Sequence, residues 1–92
     1  MGSSNNLLTA YFDFYVKREA KLALIDEVAT AIQKKNWYLE NNQEGFAASL
    51  SEKSQGTLSA MNKAGFKTVD VIVHVTDMAR LQLKKERVLL SA

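Results

Sequence analysis

The only histidine in the chain, His74, is the first residue to consider for chemistry, because an imidazole exchanges protons near neutral pH. It stands within the valine-rich run 69–75. Nucleophilic catalysis needs a serine, cysteine or carboxylate placed beside the histidine, and no such partner occurs at a recognisable spacing. The chain contains no cysteine. We therefore predict that His74 packs within the fold, and we predict no catalytic residue.

Two pairs of carboxylates lie close in the sequence, and neither is arranged as a general acid and base. Asp26 and Glu27 are adjacent, so their side chains would point about 100° apart on a helix. Glu40 and Glu44 flank a polar segment and are typical of a solvated loop. No carboxylate–histidine cluster has the spacing of metal ligands, and no glycine-rich phosphate loop occurs. The sequence thus predicts no metal, no cofactor and no enzymatic activity.

Four cations near the C-terminus form the pattern that suggests nucleic-acid binding. Arg80, Lys84 and Arg87 are spaced by four and three residues, which places them on one ridge of a helix, with Lys85 beside it. Such a ridge can bind phosphate groups. Cations near a helix C-terminus also complement the helix dipole, which explains the same residues without a ligand. Nucleic-acid contact through this basic ridge is therefore the alternative and not the leading prediction.

Aromatic residues concentrate near the N-terminus, where they indicate an interaction surface. They surround more than one face of the predicted helix, so one face can pack on the core while another meets a partner. Later helices that wrap both sides of the first would explain them equally well. Trp37 and Tyr38 form a second aromatic pair, of residue types common at interface centres. The predicted partner interface consists of Leu8, Tyr11, Phe12, Phe14, Tyr15, Trp37 and Tyr38.

A single long N-terminal helix is predicted to carry most of these aromatics. The chain runs from Asn5 to Glu40 without proline or glycine, and apolar residues recur at spacings of three, four or seven. These residues are Leu8, Tyr11, Tyr15, Leu22, Ile25, Ala29 and Ile32. A helix from about residue 7 to residue 36 would be roughly 45 Å long. A compact domain of this size has a radius of gyration of only about 12 Å. The helix would therefore need a second chain or a large partner to cover it.

Two shorter helices are predicted to follow, giving an all-α bundle that forms a single domain over residues 1–92. Residues 1–6 are predicted to be flexible, and turns are predicted at 41–45 and 64–68. The second helix would run from Phe46 to Lys63 and the third from residue 69 to residue 90. The competing interpretation is an α+β fold with strands near 10–16 and 69–75, because five of the seven residues in 69–75 are β-branched.

The predicted turn between the last two helices has a distinctive pattern, Ala64-Gly65-Phe66-Lys67-Thr68-Val69. Gly65 can end one helix in the left-handed conformation, and Thr68 can cap the next. The stretch resembles the junction of helix–hairpin–helix and related five-helix DNA-binding folds, in which an Ala-Gly-aromatic-x-Thr-Val turn joins two short helices. The resemblance covers Met61 to Ile72, and the Gly-x-Gly hairpin that binds phosphate in that family is missing here. It implies a helical turn of this type.

Composition indicates a small folded protein that gains stability by association. The chain has 92 residues, of which 47% are hydrophobic and 24% charged, with a net charge of +2. A domain this small buries only about 60% of its unfolded surface, and without cysteine it has no disulfides to compensate. No apolar run reaches about 18 residues, and no secretory signal pattern opens the chain. We therefore predict a cytoplasmic protein that does not contact membranes.

The leading functional prediction is a non-enzymatic, self-associating protein–protein interaction module, such as a structural or adaptor subunit. Its partner would be a second copy of the chain or a larger protein. A small inhibitor of a larger protein would carry the same kind of interface, so the sequence does not distinguish it from this prediction. The alternative from a different class is a DNA-binding accessory protein that uses the helix–turn–helix-like element and the basic ridge.

Overall fold

Six α-helices make up the part of the chain that the structure describes. The computed structural model describes the backbone of residues 2–91 and the side chains of residues 6–90. The helices are α1 (Gly2–Tyr15), α2 (Arg18–Gln33), α3 (Trp37–Asn41), α4 (Gln43–Ala48), α5 (Glu52–Lys63) and α6 (Thr68–Ser91). No strand occurs among these residues. The predicted all-α class is confirmed, and the alternative with strands near 10–16 and 69–75 is wrong.

The valine-rich segment 69–75 is helical because its apolar residues bury one side of α6. Val71, Ile72 and Val75 are fully buried, whereas Val73 is exposed. Ala79 continues the buried face one turn further along. Spacings of three and four residues match the repeat of a helix, and no neighbouring strand is present to satisfy an extended backbone.

The prediction of one long N-terminal helix is wrong, because the chain bends between α1 and α2. Lys17 is extended, with φ −61° and ψ 142°, and its side chain makes no capping hydrogen bond. The bend brings α1 back onto the body, where Leu8 and Phe12 are buried. Burying such side chains is worth about 1.5–3 kcal/mol each, which outweighs the few helical hydrogen bonds lost at the bend. Tertiary packing therefore places this break, which no proline or glycine marks.

The predicted helix from Phe46 to Lys63 is divided between α4 and α5. Of the turn predicted at 41–45, only Asn42 lies outside a helix. The Asn42 side chain accepts a hydrogen bond from the Gly45 amide at 3.0 Å, which starts α4 at once after α3. Ser51 then caps α5 by accepting from the Ser54 amide at 3.4 Å. Three helices, α3 to α5, therefore lie between α2 and α6, where one was predicted, because Asn36, Asn42 and Ser51 each start a helix.

The turn between α5 and α6 is closed by its own backbone. Gly65 has φ 103°, a conformation that glycine adopts without a Cβ penalty. Its amide donates to the Asn62 carbonyl and the Phe66 amide donates to the Met61 carbonyl, both at 3.0 Å. The Asn62 side chain adds a hydrogen bond to the Phe66 carbonyl at 2.9 Å. The turn holds Phe66 against α1.

The core lies between α2 and α6, which form the central pair of the fold. Leu24 and Val28 of α2 meet the buried face of α6, and Met61 of α5 and Phe12 of α1 complete the centre. Beyond Leu83, all described side chains of α6 are exposed. The element that projects from the body is therefore the end of α6, not the N-terminal helix.

Candidate interaction surface

The outer face of α1 exposes several large apolar side chains. Leu8 and Phe12 occupy the inner face, one turn apart, and anchor the helix on the core. Leu7, Phe14 and Tyr15 are 65%, 82% and 75% exposed. The helix repeat places Leu7 and Phe14, seven residues apart, on a different face from Leu8 and Phe12, whereas Tyr15 follows the inner face and is exposed because it ends the helix. Large aromatic residues at such exposure mark interaction surfaces in soluble proteins.

A groove of about 760 Å³ runs between α1 and the α5–α6 turn. Tyr11 forms one wall, stacked on Tyr15 with ring centroids 4.9 Å apart and tilted against Phe66 at 5.6 Å. The positive φ of Gly65 turns the chain so that Phe66 lies against Tyr11. The remaining lining is supplied by Leu7, Leu8, Ala10, Phe14, Ala64, Gly65, Lys67 and Asp70.

The chemistry of this aromatic groove suits the binding of an apolar side chain. Its lining is mainly apolar, and its charged members are one cation, Lys67, and one carboxylate, Asp70. It contains no nucleophile paired with a base. An apolar side chain entering the groove would displace water from aromatic rings, while the rim charges would orient a polar neighbour.

Two of the predicted interface residues belong to the core. Leu8 and Phe12 are 3% and 0% exposed, so Phe12 offers no surface to a partner in this conformation and Leu8 supplies only a small part of the groove lining. They are buried because the bend at Lys17 returns α1 to the body of the protein. The structure brings the other three predicted residues of α1, namely Tyr11, Phe14 and Tyr15, together at the groove.

The second predicted aromatic pair lies apart from this groove. Trp37 and Tyr38 begin α3, are 62% and 52% exposed, and meet edge to face with ring centroids 5.4 Å apart. The Asn36 side chain accepts a hydrogen bond from the Tyr38 amide at 2.9 Å and fixes the start of this helix. The pair is thus an exposed surface of its own and does not line the aromatic groove.

Sequence reasoning missed several residues of the groove. Leu7 lies four positions before Tyr11, so extending the helix repeat by one turn would have found it. Phe66, Lys67 and Asp70 gave no such signal, because only the tertiary structure places the α5–α6 turn beside α1. The turn and the aromatic segment were recognised as separate features and proved to be two sides of one surface.

The basic ridge on α6 is exposed but does not form one continuous positive patch. Arg80 shares a small depression with the carboxylates of Glu40 and Asp77. Lys84 and Lys85 are exposed near the projecting end of the helix, and Arg87 lines a depression against the end of α2. Nearby acidic residues therefore reduce the potential that Arg80 offers to a phosphate.

His74 lies at the contact between α1 and α6, where its ring meets Phe12 edge to face at 5.7 Å. Its Nε2 atom is buried and has no hydrogen-bond partner. Burial lowers the pKa of His74, although the charges of Asp13 and Asp77 partly oppose this. The His74 ring packs between α1 and α6.

Glu27 lies at the centre of a polar cluster that joins α2 to the start of α5. Its carboxylate accepts hydrogen bonds from the Ser51 amide at 2.8 Å, from Ser51 Oγ at 2.6 Å and from Ser54 Oγ. Burial raises the pKa of Glu27, but the hydrogen bonds from the two serines outweigh it and lower the pKa below its ordinary value. The cluster fixes the position of α5 and is structural.

Within the described residues, no three carboxylate or histidine side chains gather closely enough to hold a metal ion. None of the helices described is both long enough and apolar enough to cross a bilayer. Comparison of the chain with known protein families, with curated proteins and with solved structures gave no match. The aromatic groove and the outer face of α1 are therefore the features on which a function can be argued.

Proposed function

We propose that this protein is a non-enzymatic interaction module that associates with a second copy of itself through the outer face of α1. The observation that carries the proposal is the exposure of Phe14 and Tyr15, at 82% and 75%, beside the aromatic groove. Each such ring can bury about 150–250 Å² in a complex. A structural or adaptor subunit in the cytoplasm is the role that this property fits.

The total surface of the molecule supports association. The chain exposes 6444 Å², whereas a compact monomer of 10.3 kDa exposes roughly 5,400 Å². Part of the surplus of about 1,000 Å² comes from the elongated shape of the molecule, and part is the exposed apolar surface of α1 that a partner would cover. A net charge of only +2 adds little repulsion between two copies.

Light scattering coupled to size exclusion, over a wide concentration range, tests the proposal. The wild-type protein is expected to increase in mass with concentration. Phe14→Arg places a charge on the outer face and is expected to weaken association at least 30-fold, the effect of losing one interface hot spot. Leu22→Arg is the matched control, because Leu22 is 46% exposed on α2 and lies outside the groove.

Two results would contradict this function. A wild-type protein that stays monomeric at every concentration would exclude self-association. Equal weakening by Phe14→Arg and Leu22→Arg would show that association does not use the outer face of α1. A fixed mass for the wild type together with tight binding to one unrelated protein would favour the inhibitor alternative.

Nucleic-acid binding is the second candidate, and the exposure of Lys84 and Lys85 near the projecting end of α6 favours it. Random duplex DNA titrated at two salt concentrations measures this. If the ridge binds phosphate, the double variant Arg80→Ala, Lys84→Ala should weaken binding and reduce the salt slope by about 2. An unchanged slope would remove the ridge as a nucleic-acid site.

A further inference from the structure

We propose that two copies of this chain associate by exchanging α1. In the exchanged dimer the bend at Val16-Lys17 straightens, α1 and α2 join into one helix, and Leu8 and Phe12 of each copy enter the core of the other. This inference rests on the proposed self-association and adds its mechanism. Exchange of an identical element between protomers is a low-cost route to a dimer.

The hinge is the first observation that supports exchange. Residues 5–40 contain no proline or glycine, so nothing in the sequence of the hinge opposes a continuous helix. Lys17 leaves the helical conformation, with φ −61° and ψ 142°, and supplies no capping hydrogen bond to α2. The Lys21 ammonium donates to the Asp13 carbonyl at 3.0 Å across the bend, an exposed contact, and the buried docking of α1 is the main support of the bent form.

The docking contacts of α1 can be made equally well by another copy. They are made by side chains: Leu8 and Phe12 in the core, Phe12 against His74, and Tyr11 against Phe66. In an exchanged dimer each of these contacts is kept but joins two chains. The free energy of exchange is then decided by the hinge and by whatever new surface the two copies bury.

A straight helix over residues 2–33 would be about 48 Å long. That exceeds the longest dimension of the bent molecule, 41 Å, so a straightened α1 would extend away from its own core. Only a second molecule can then cover Leu8 and Phe12, and a second copy carries the complementary site. Phe14 and Tyr15 lie within three residues of Lys17, where the two straightened hinges would pass each other. Exchange thus buries the rings that the monomer exposes.

Substitutions at the hinge provide the first test. Lys17→Pro suits the observed φ of −61° but would place a proline inside each continuous helix of the exchanged dimer. We expect it to lower the association constant about 10⁴-fold, and Lys17→Gly about 30-fold, because two hinges are affected. Lys17→Ala removes the same charge, favours a helix, and is the matched control with an expected change of less than a few-fold.

Cross-linking provides the second test, helped by the absence of native cysteine. The charges of Asp13 on α1 and Asp77 on α6 both act on His74 across the α1–α6 contact, and neither residue lines the groove. The double variant Asp13→Cys, Asp77→Cys is treated with a short bismaleimide at a concentration where the protein is dimeric. Exchange predicts that the cross-link joins two chains on a denaturing gel. The control is Asp77→Cys alone, which should give no linked pair, and Asp13→Cys alone measures any direct link between the two hinges, because Asp13 is next to Phe14.

The outcomes separate this inference from the proposed function. A dimer whose cross-link stays within each chain, or whose association constant is the same for Lys17→Pro and Lys17→Ala, overturns exchange and leaves self-association standing. A wild-type protein that never dimerises overturns both. If Lys17→Pro fails to fold, as judged by circular dichroism, Lys17→Gly and the cross-link decide the question.

Discussion

At the scale of single residues, Glu27 joins parts of the chain that are far apart in sequence. It accepts hydrogen bonds from Ser51 and Ser54, 24 and 27 residues further along. Ser54 is fully buried, so its hydroxyl has no water to replace the carboxylate. Hydrogen bonds to a charged acceptor are about twice as strong as those between neutral groups, which makes this cluster a main attachment of α5 to α2.

Glu27→Gln is expected to lower the free energy of unfolding at pH 7 by about 2 kcal/mol, because it removes the charge from this cluster. The lowered pKa of Glu27 stabilises the wild-type fold above the ordinary carboxyl pKa of about 4.3. That contribution is lost as the pH falls through the folded-state pKa. Urea denaturation at pH 7 and between pH 5 and 3 measures both effects. Glu86→Gln is the control, and equal losses in the two variants would contradict this role.

His74 is expected to make stability depend on pH in a different range. Burial lowers its pKa, so below about pH 6.5 the unfolded chain binds a proton more readily than the folded one, and stability falls as the pH decreases. His74→Leu removes this dependence and also removes the unpartnered Nε2 atom. Urea denaturation at pH 7.5 and 5.5 should show a smaller loss for the variant. The same loss in both proteins would contradict the assignment.

At the scale of helices, the ends of α1 to α6 show what local sequence can predict. Asn36, Asn42 and Ser51 each cap the helix that follows by a side-chain hydrogen bond, and such residues are recognisable in a sequence. The break between α1 and α2 has no such marker and was missed. The break exists because α1 packs on residues that are distant in the chain, and the spacing of apolar residues along a helix carries no information about such contacts.

Substitution by alanine should have opposite effects at two glycines, because Gly65 follows the end of a helix with a positive φ and Gly56 lies inside a helix. Gly65 has φ 103° and Gly56 lies inside α5, and a Cβ at either would meet no atom within 4 Å. Gly65→Ala is expected to cost about 1–3 kcal/mol through backbone strain alone. Gly56→Ala should stabilise by about 0.5–1 kcal/mol. Thermal unfolding of both variants measures this, and destabilisation by Gly56→Ala would contradict the helix assignment there.

At the scale of the whole molecule, the fold leaves apolar surface at several places, and besides the Trp37–Tyr38 pair two of them stand out. One is the outer face of α1 with Phe14 and Tyr15, and the other is the end of α6, where Leu89 and Leu90 are 76% and 89% exposed. The long dimension of 41 Å reflects an elongated shape, which explains why the surface exceeds that of a compact monomer. The proposed self-association would cover this surface at α1.

Self-association should therefore appear as thermal stability that depends on concentration. If dimers form only from folded chains, the unfolding midpoint should rise by several degrees over a 100-fold increase in protein concentration. Calorimetry or circular dichroism on the wild type measures it, and Phe14→Arg should abolish the rise. A midpoint that is constant for the wild type would contradict association of the folded state.

The all-α class was predictable from the sequence, because the helix repeat and the polar caps are local properties of neighbouring residues, although the β-branched run 69–75 left an α+β alternative open. The sequence also located the aromatic residues of α1 and the glycine turn before α6. Only the tertiary structure decided where the N-terminal helix bends, that Phe12 is buried while Phe14 is exposed, and that Phe66 faces Tyr11. These features depend on burial against residues 50 or more positions away. Helix propensity alone is nearly the same for the bent and the straight chain, so it does not distinguish them.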